Sequence, residues 1–163
     1  MLAPPSAAET SLGRARLLAL ALPAALLGGA YASQYIGGLY PCEMCWWQRY
    51  PHFVAILIAA AALLSPLSAP RTRALTLLAA LAIAVSGAIG VMHAGVEYGW
   101  WEGLTTCTTD GATSLEDIMS VPLVRCDQVQ WSLFGISLAG LNALLSLGGA
   151  ALVAMLALRR AGR

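Results

Sequence analysis

The sequence contains no lysine, and charged side chains make up only 10% of its 163 residues. The net charge is +1 and no basic patch is present, which excludes a protein built to hold nucleic acid electrostatically. The apolar segments lack the period-2 alternation of membrane-barrel strands, and no internal repeat stands out beyond an Ala/Leu bias. What remains is a chain that is 59% hydrophobic, for which lipid rather than water is the expected solvent.

Four apolar runs, 17–38, 46–67, 74–94 and 131–158, each reach the roughly 20 residues that a spanning helix needs. Backbone groups cannot be left unpaired in hydrocarbon, so these runs are read as helices. The expected fold is an all-α membrane protein: a four-transmembrane-helix bundle forming a single domain over 1–163, with outward loops at about 39–45 and 95–130.

Orientation follows from the nine arginines. Arg14, Arg16, Arg71, Arg73, Arg159, Arg160 and Arg163 flank the runs on one side, which the positive-inside rule makes cytoplasmic. Both termini then face the cytoplasm. The opposite loops hold only Arg49 and Arg125, together with Glu43, Glu97, Glu102, Asp110, Glu116, Asp117 and Asp127. Trp46, Trp47, Trp100, Trp101 and Trp131 all fall near the outer boundary, where an interfacial aromatic belt belongs. Arg14, Arg16 and Ala30-Tyr31-Ala32 also fit a cleavable secretory signal. The apolar run continues past that cut and is long for a signal core of roughly 7 to 15 residues, so retention of the first helix is expected.

In the long second loop, Ser114-Leu115-Glu116-Asp117 has capping-box spacing, which suits either a brief surface helix or an irregular loop. Ser86, Gly90 and Ala94 recur at helical spacing and are expected to pack against a neighbouring helix. Gln34 and Asn142 are expected to hydrogen-bond between helices.

All four cysteines fall on the outer side, as Cys42-x-x-Cys45 and as Cys107 with Cys126. An oxidising compartment permits disulfides at both places. Two structural bridges are the plain alternative, and for Cys107 with Cys126 alone it would be favoured. A Cys-x-x-Cys bridge closes so small a loop that it restrains little chain entropy, and its usual use is redox exchange. The pair also opens a helix, whose N-terminal partial charge and free N–H groups favour a thiolate and lower a cysteine pKa. Zinc is not expected, because the spacings do not match those of common zinc ribbons.

Arg49 stands four residues after Cys45, on the same helical face, where its guanidinium could stabilise a Cys45 thiolate or an anion beside it; snorkelling to the headgroups is the alternative. Gln48 offers an amide on an adjacent strip. His93, at the outer end of the third run, could give a hydrogen bond or a proton to a membrane-embedded acceptor, although a lone interfacial histidine is more often merely solvated.

With its four helices, the element Cys42-Glu43-Met44-Cys45-Trp46-Trp47-Gln48-Arg49 and the pair Cys107 and Cys126 in a long second loop, the chain resembles the DsbB family of disulfide-bond formation proteins. The resemblance implies an enzyme of the bacterial inner membrane that reoxidises a periplasmic thioredoxin-like protein of the DsbA type and passes two electrons to a quinone, ubiquinone or menaquinone. It further implies that Cys107 is attacked by the partner's thiolate, with Cys126 as the other member of its pair. Exchange with Cys42 follows, through a Cys42 to Cys126 bridge. Cys45 then reduces the quinone through a thiolate adduct or charge-transfer contact, with Arg49 and His93 stabilising the developing charge and Gln48 alongside. A vitamin K epoxide reductase-like oxidase is a second possibility, but there the loop pair precedes the membrane pair. A membrane scaffold with two structural disulfides is the non-enzymatic alternative.

Overall fold

The computed structural model describes residues 7–67, 70–103 and 124–159. Within them lie four helices: α1 (Ala7–Tyr35), α2 (Glu43–Leu63), α3 (Pro70–Glu97) and α4 (Leu138–Leu158). A two-stranded antiparallel hairpin, β1 (Ser132–Leu133) with β2 (Ile136–Ser137), precedes α4 in the register Ser132↔Ser137 and Leu133↔Ile136. Cys107 and the capping-box segment at 114–117 lie outside the described residues.

α3 is the central helix, packed along both α2 and α4, while α1 closes the bundle against α2 and α4. The buried seams are made of small residues: Ala15, Ala19, Ala59, Ala79, Ala150 and Ala157 are at most 5% exposed. Large apolar side chains point outward instead, with Leu17, Leu57, Leu81 and Leu144 all at least 60% exposed. That arrangement inverts the pattern of a water-soluble core and is the pattern of a bundle solvated by lipid. Among the described residues, α1, α3 and α4 are long and apolar enough to cross a membrane. The chain is therefore a multi-pass helical membrane protein. α2, at 21 residues and so about 30 Å long, equals α4 in length but carries Gln48, Arg49 and His52 buried along one side.

The small-residue spacing in α3 does pack as expected. A Cβ at Gly90 would stand 3.0 Å from the backbone of Ala139 and Ala143, so α3 and α4 approach at glycine distance. Ser86 does more than pack, as shown below.

Element boundaries depart from the apolar runs for local reasons. α1 begins at Ala7 rather than 17 and ends at Tyr35, where Gly37 N and Ile36 N both reach Ala32 O and Gly38 takes a φ of 68°. α2 starts at Glu43 because the Cys42 side chain accepts from Cys45 N as an N-cap, and it stops at Leu63 ahead of Ser65-Pro66. The expected helix over 131–158 starts only at Leu138. Phe134 and Gly135, with φ of 52° and 81°, turn the hairpin, and Ser137 caps α4 by accepting from Gly140 N. Tyr98 fastens this hairpin to the end of α3, donating to Gly135 O at 3.0 Å and accepting from Ser137 N at 2.8 Å.

At the opposite end, Ser11 Oγ donates to Leu156 O at 2.8 Å, and Arg16 donates to Ser65 O and Leu63 O. The start of α1 and the end of α4 thus lie together, remote from the cysteines.

Candidate active site

The site is assembled where α2 begins and α3 ends. Cys42 and Cys45 are thiols with Sγ atoms 2.8 Å apart, and Cys126 is a third cysteine, buried and hydrogen-bonded to Cys42. Cys42 and Cys126 are 1% and 4% exposed, in one apolar cluster with Met44 and Val96. Hydrogen bonding with Cys126, then with Cys45, and burial hold the Cys42 thiol well above the usual thiol range. The expectation that the helix N-terminus favours a thiolate therefore fails at Cys42: desolvation and neighbouring sulfurs outweigh the macrodipole there.

Behind the sulfurs stands a buried polar network drawn from α2, α3 and α4. His93 Nε2 lies 3.5 Å from Cys42 Sγ, and Gln48 Nε2 lies 2.8 Å from His93 Nδ1. Asn142 Nδ2 donates to Gln48 Oε1 at 2.8 Å, and Asn142 Oδ1 faces His52 Nε2 at 3.0 Å. Ser86 Oγ donates to Gln48 O at 2.7 Å and lies 2.9 Å from His52 Nε2. Hydrocarbon offers these groups no partner, so their bonds run to other helices. Asn142 bonds between helices as expected, and so does Gln34, through Arg49.

Arg49 is 6% exposed and turns toward α1. It donates to Gln34 Oε1 at 2.7 Å and Ala30 O at 3.2 Å, and its guanidinium lies 4.8 Å from the ring centroids of both Tyr31 and Trp46. Spacing alone suggests a guanidinium set against Cys45. Tertiary packing instead sends these hydrogen bonds to α1, because the aromatic pair and two acceptors there satisfy a cation at the edge of an apolar bundle. Arg49 and Cys45 remain joined through a cavity of about 340 Å³ that both line, along with Leu26, Leu145, His52 and His93. Its size falls within the roughly 300–1,000 Å³ of small-ligand sites.

Two buried groups escaped the sequence reading. Glu97 lies one turn after His93, with Oε1 3.8 Å from His93 Nε2, and its other oxygen lacks a partner among the described residues. His52 lies four residues after Gln48, and its Nδ1 is likewise unpartnered. The signal was the spacing: Cys45, Gln48, Arg49 and His52 form one polar stripe at helical intervals in an otherwise apolar helix, and His93 with Glu97 repeats it.

Fold and site together define a multi-pass helical membrane protein with a Cys-x-x-Cys pair, of which Cys45 lines a largely apolar cavity. The family model described as disulfide bond formation protein DsbB matches residues 13–156, and the chain belongs to that family. It is thus a membrane protein of disulfide-bond formation, with an oxidoreductase role. Neither the comparison with curated proteins nor that with solved structures gave a match.

Proposed function

We propose that the protein is a quinone-linked dithiol oxidase of the bacterial inner membrane, which reoxidises a periplasmic thioredoxin-like protein of the DsbA type and delivers two electrons to ubiquinone or menaquinone. The observation that carries this reading is the position of Cys45, in the first turn of α2, on the wall of an apolar cavity that also holds Arg49. In this reading the whole of 1–163 is one membrane domain, α2 spans with the other three helices, both termini are cytoplasmic and the cysteines face the periplasm. The polar stripe of α2 supports its span, because Gln48, Arg49 and His52 bond to other helices rather than facing lipid.

The electron path starts at Cys107. The partner's thiolate attacks the Cys107 sulfur of a Cys107–Cys126 bridge, forming a mixed disulfide and releasing Cys126 as thiolate. Cys126 then attacks Cys42 of an oxidised Cys42–Cys45 pair; the Cys42–Cys126 bond forms and Cys45 leaves as thiolate. The shared burial of Cys42 and Cys126 supports this exchange. Resolution of the mixed disulfide by the partner's second thiol releases the oxidised partner.

The donor set fits a quinone ring: a largely apolar cavity lined by the cations Arg49 and Arg125 and by the imidazoles of His52 and His93. When bound, the quinone supplies the two-electron acceptor. Cys45 and Arg49, which line the cavity, would hold it, Arg49 would balance negative charge, and His93, with Gln48 behind it, would stand beside the Cys42 sulfur. The test is ultraviolet-visible detection of quinone reduction by the purified protein, supplied with a reduced thioredoxin-like partner and a soluble quinone analogue. Turnover dependent on Cys42 and Cys45 is expected. A folded protein with intact partner and no turnover would return the two pairs to a structural role.

A further inference from the structure

The amides and imidazoles behind the cysteines form a donor–acceptor chain whose direction is pinned at two points. Gln48 Nε2 lies 3.3 Å from Met44 O, and Asn142 Nδ2 lies 3.3 Å from Ser86 O. A backbone carbonyl only accepts, so it fixes which end of each amide carries the hydrogens. Asn142 Nδ2 also donates to Gln48 Oε1, which leaves Gln48 Nε2 facing His93 Nδ1 at 2.8 Å. An amide nitrogen has only hydrogens to offer, so His93 Nδ1 is the acceptor. In the neutral ring the hydrogen then sits on Nε2, the nitrogen 3.5 Å from Cys42 Sγ. Turning Gln48 alone would set its nitrogen against that of Asn142, donor against donor, and would abandon Met44 O.

We infer that Asn142 is a positioning residue for thiol exchange: through Gln48 it locks His93 in the Nε2–H tautomer, so that the ring presents a hydrogen-bond donor to the Cys42 sulfur. A donor there supports the negative charge that Cys42 carries when it attacks or leaves, whereas a bare nitrogen would compete for the proton. The backbone of Cys126 also bonds the His93 ring, while Glu97 Oε1, 3.8 Å from the same Nε2, stands beyond hydrogen-bond distance. One consequence concerns metals. Cys42, Cys45 and His93 place three ligand-type atoms within 4.8 Å of one another, but a ring nitrogen that carries hydrogen cannot ligate. Another is that Gln48 acts as the relay between α4 and α3, with its amide committed at both ends.

This inference rests on the exchange role of Cys42, yet its test needs neither quinone nor partner, so the two can fail separately. The reduced, full-length protein, labelled with nitrogen-15 and held in lipid nanodiscs, is observed by nuclear magnetic resonance, with His52→Gln separating the two histidines. The expected wild-type result is an unprotonated His93 Nδ1 with a scalar coupling to Gln48 Nε2 across the hydrogen bond. In Asn142→Leu and Asn142→Ser the coupling is lost and a fraction of Nδ1–H tautomer appears. A wild-type His93 carrying its hydrogen on Nδ1 would overturn the inference without recourse to any variant. So would either variant that keeps the wild-type helical circular dichroism together with an unchanged tautomer and coupling.

Discussion

Gln48 Nε2 and His93 Nδ1 lie 2.8 Å apart, and this contact ties α2 to α3 directly behind the Cys42–Cys45 pair. Replacing Gln48 with Met keeps the bulk but leaves His93 Nδ1 and an Asn142 hydrogen without their partner. Each buried polar group so orphaned costs about 1–3 kcal/mol. Gln48→Met is expected to lower the thermal unfolding midpoint in detergent, and a midpoint equal to wild type would show that the network carries no stability.

The cysteines separate by step. Cys45→Ser is expected to abolish quinone reduction, because no thiolate then faces the cavity. Cys107→Ser is expected to block the reaction with the partner first. Stopped-flow absorbance, with partner and quinone analogue varied in turn, distinguishes these defects. Wild-type turnover in both variants would remove the electron path proposed above.

Arg49→Met keeps an apolar stem but removes the cation and its donors to Gln34 Oε1 and Ala30 O. A hydrogen bond involving a charged group contributes about 1.5–3 kcal/mol, so the Kd for a quinone analogue is expected to rise about tenfold or more. Equilibrium titration by fluorescence of the nearby tryptophans reads it. An unchanged Kd would assign Arg49 to anchoring α1 alone.

A pH effect follows from Cys42. Folding raises the pKa of its thiol, so the stability linked to that proton is fully present below the unfolded thiol range, about pH 8.5, and is lost as pH rises above it. The unfolding midpoint of the reduced protein is expected to fall between pH 8.5 and 10, and Cys42→Ala should flatten that slope. An equally steep slope in Cys42→Ala would place the titrating group elsewhere.

Gly90→Leu tests the α3–α4 seam. A side chain there meets the backbone of Ala139 and Ala143, which cannot rotate away, and overpacking of this kind costs about 1–3 kcal/mol. Reduced resistance to thermal unfolding is expected, with Gly13→Leu as the control, since a Cβ at Gly13 meets nothing within 4 Å.

The sequence by itself determined the helical class, the small-residue seam of α3 and the grouping of Cys42, Cys45, Gln48 and Arg49 at one helix start. Lipid forbids unpaired backbone, and helical spacing is rigid over one or two turns. It also carried the family resemblance, because a Cys-x-x-Cys element and a charge placed beside it survive as local pattern. It did not disclose the hairpin before α4, where an apolar Leu133-Phe134 reads as helix and only the positive φ at Phe134 and Gly135 turns the chain. Nor did it predict the partners of Arg49, or that Asn142, far away in sequence, would hold Gln48 and through it His93. Those pairings were decided by tertiary structure alone. A buried polar group must find whichever complementary atom the packing of another helix brings within about 3 Å, and no local spacing encodes which helix that will be.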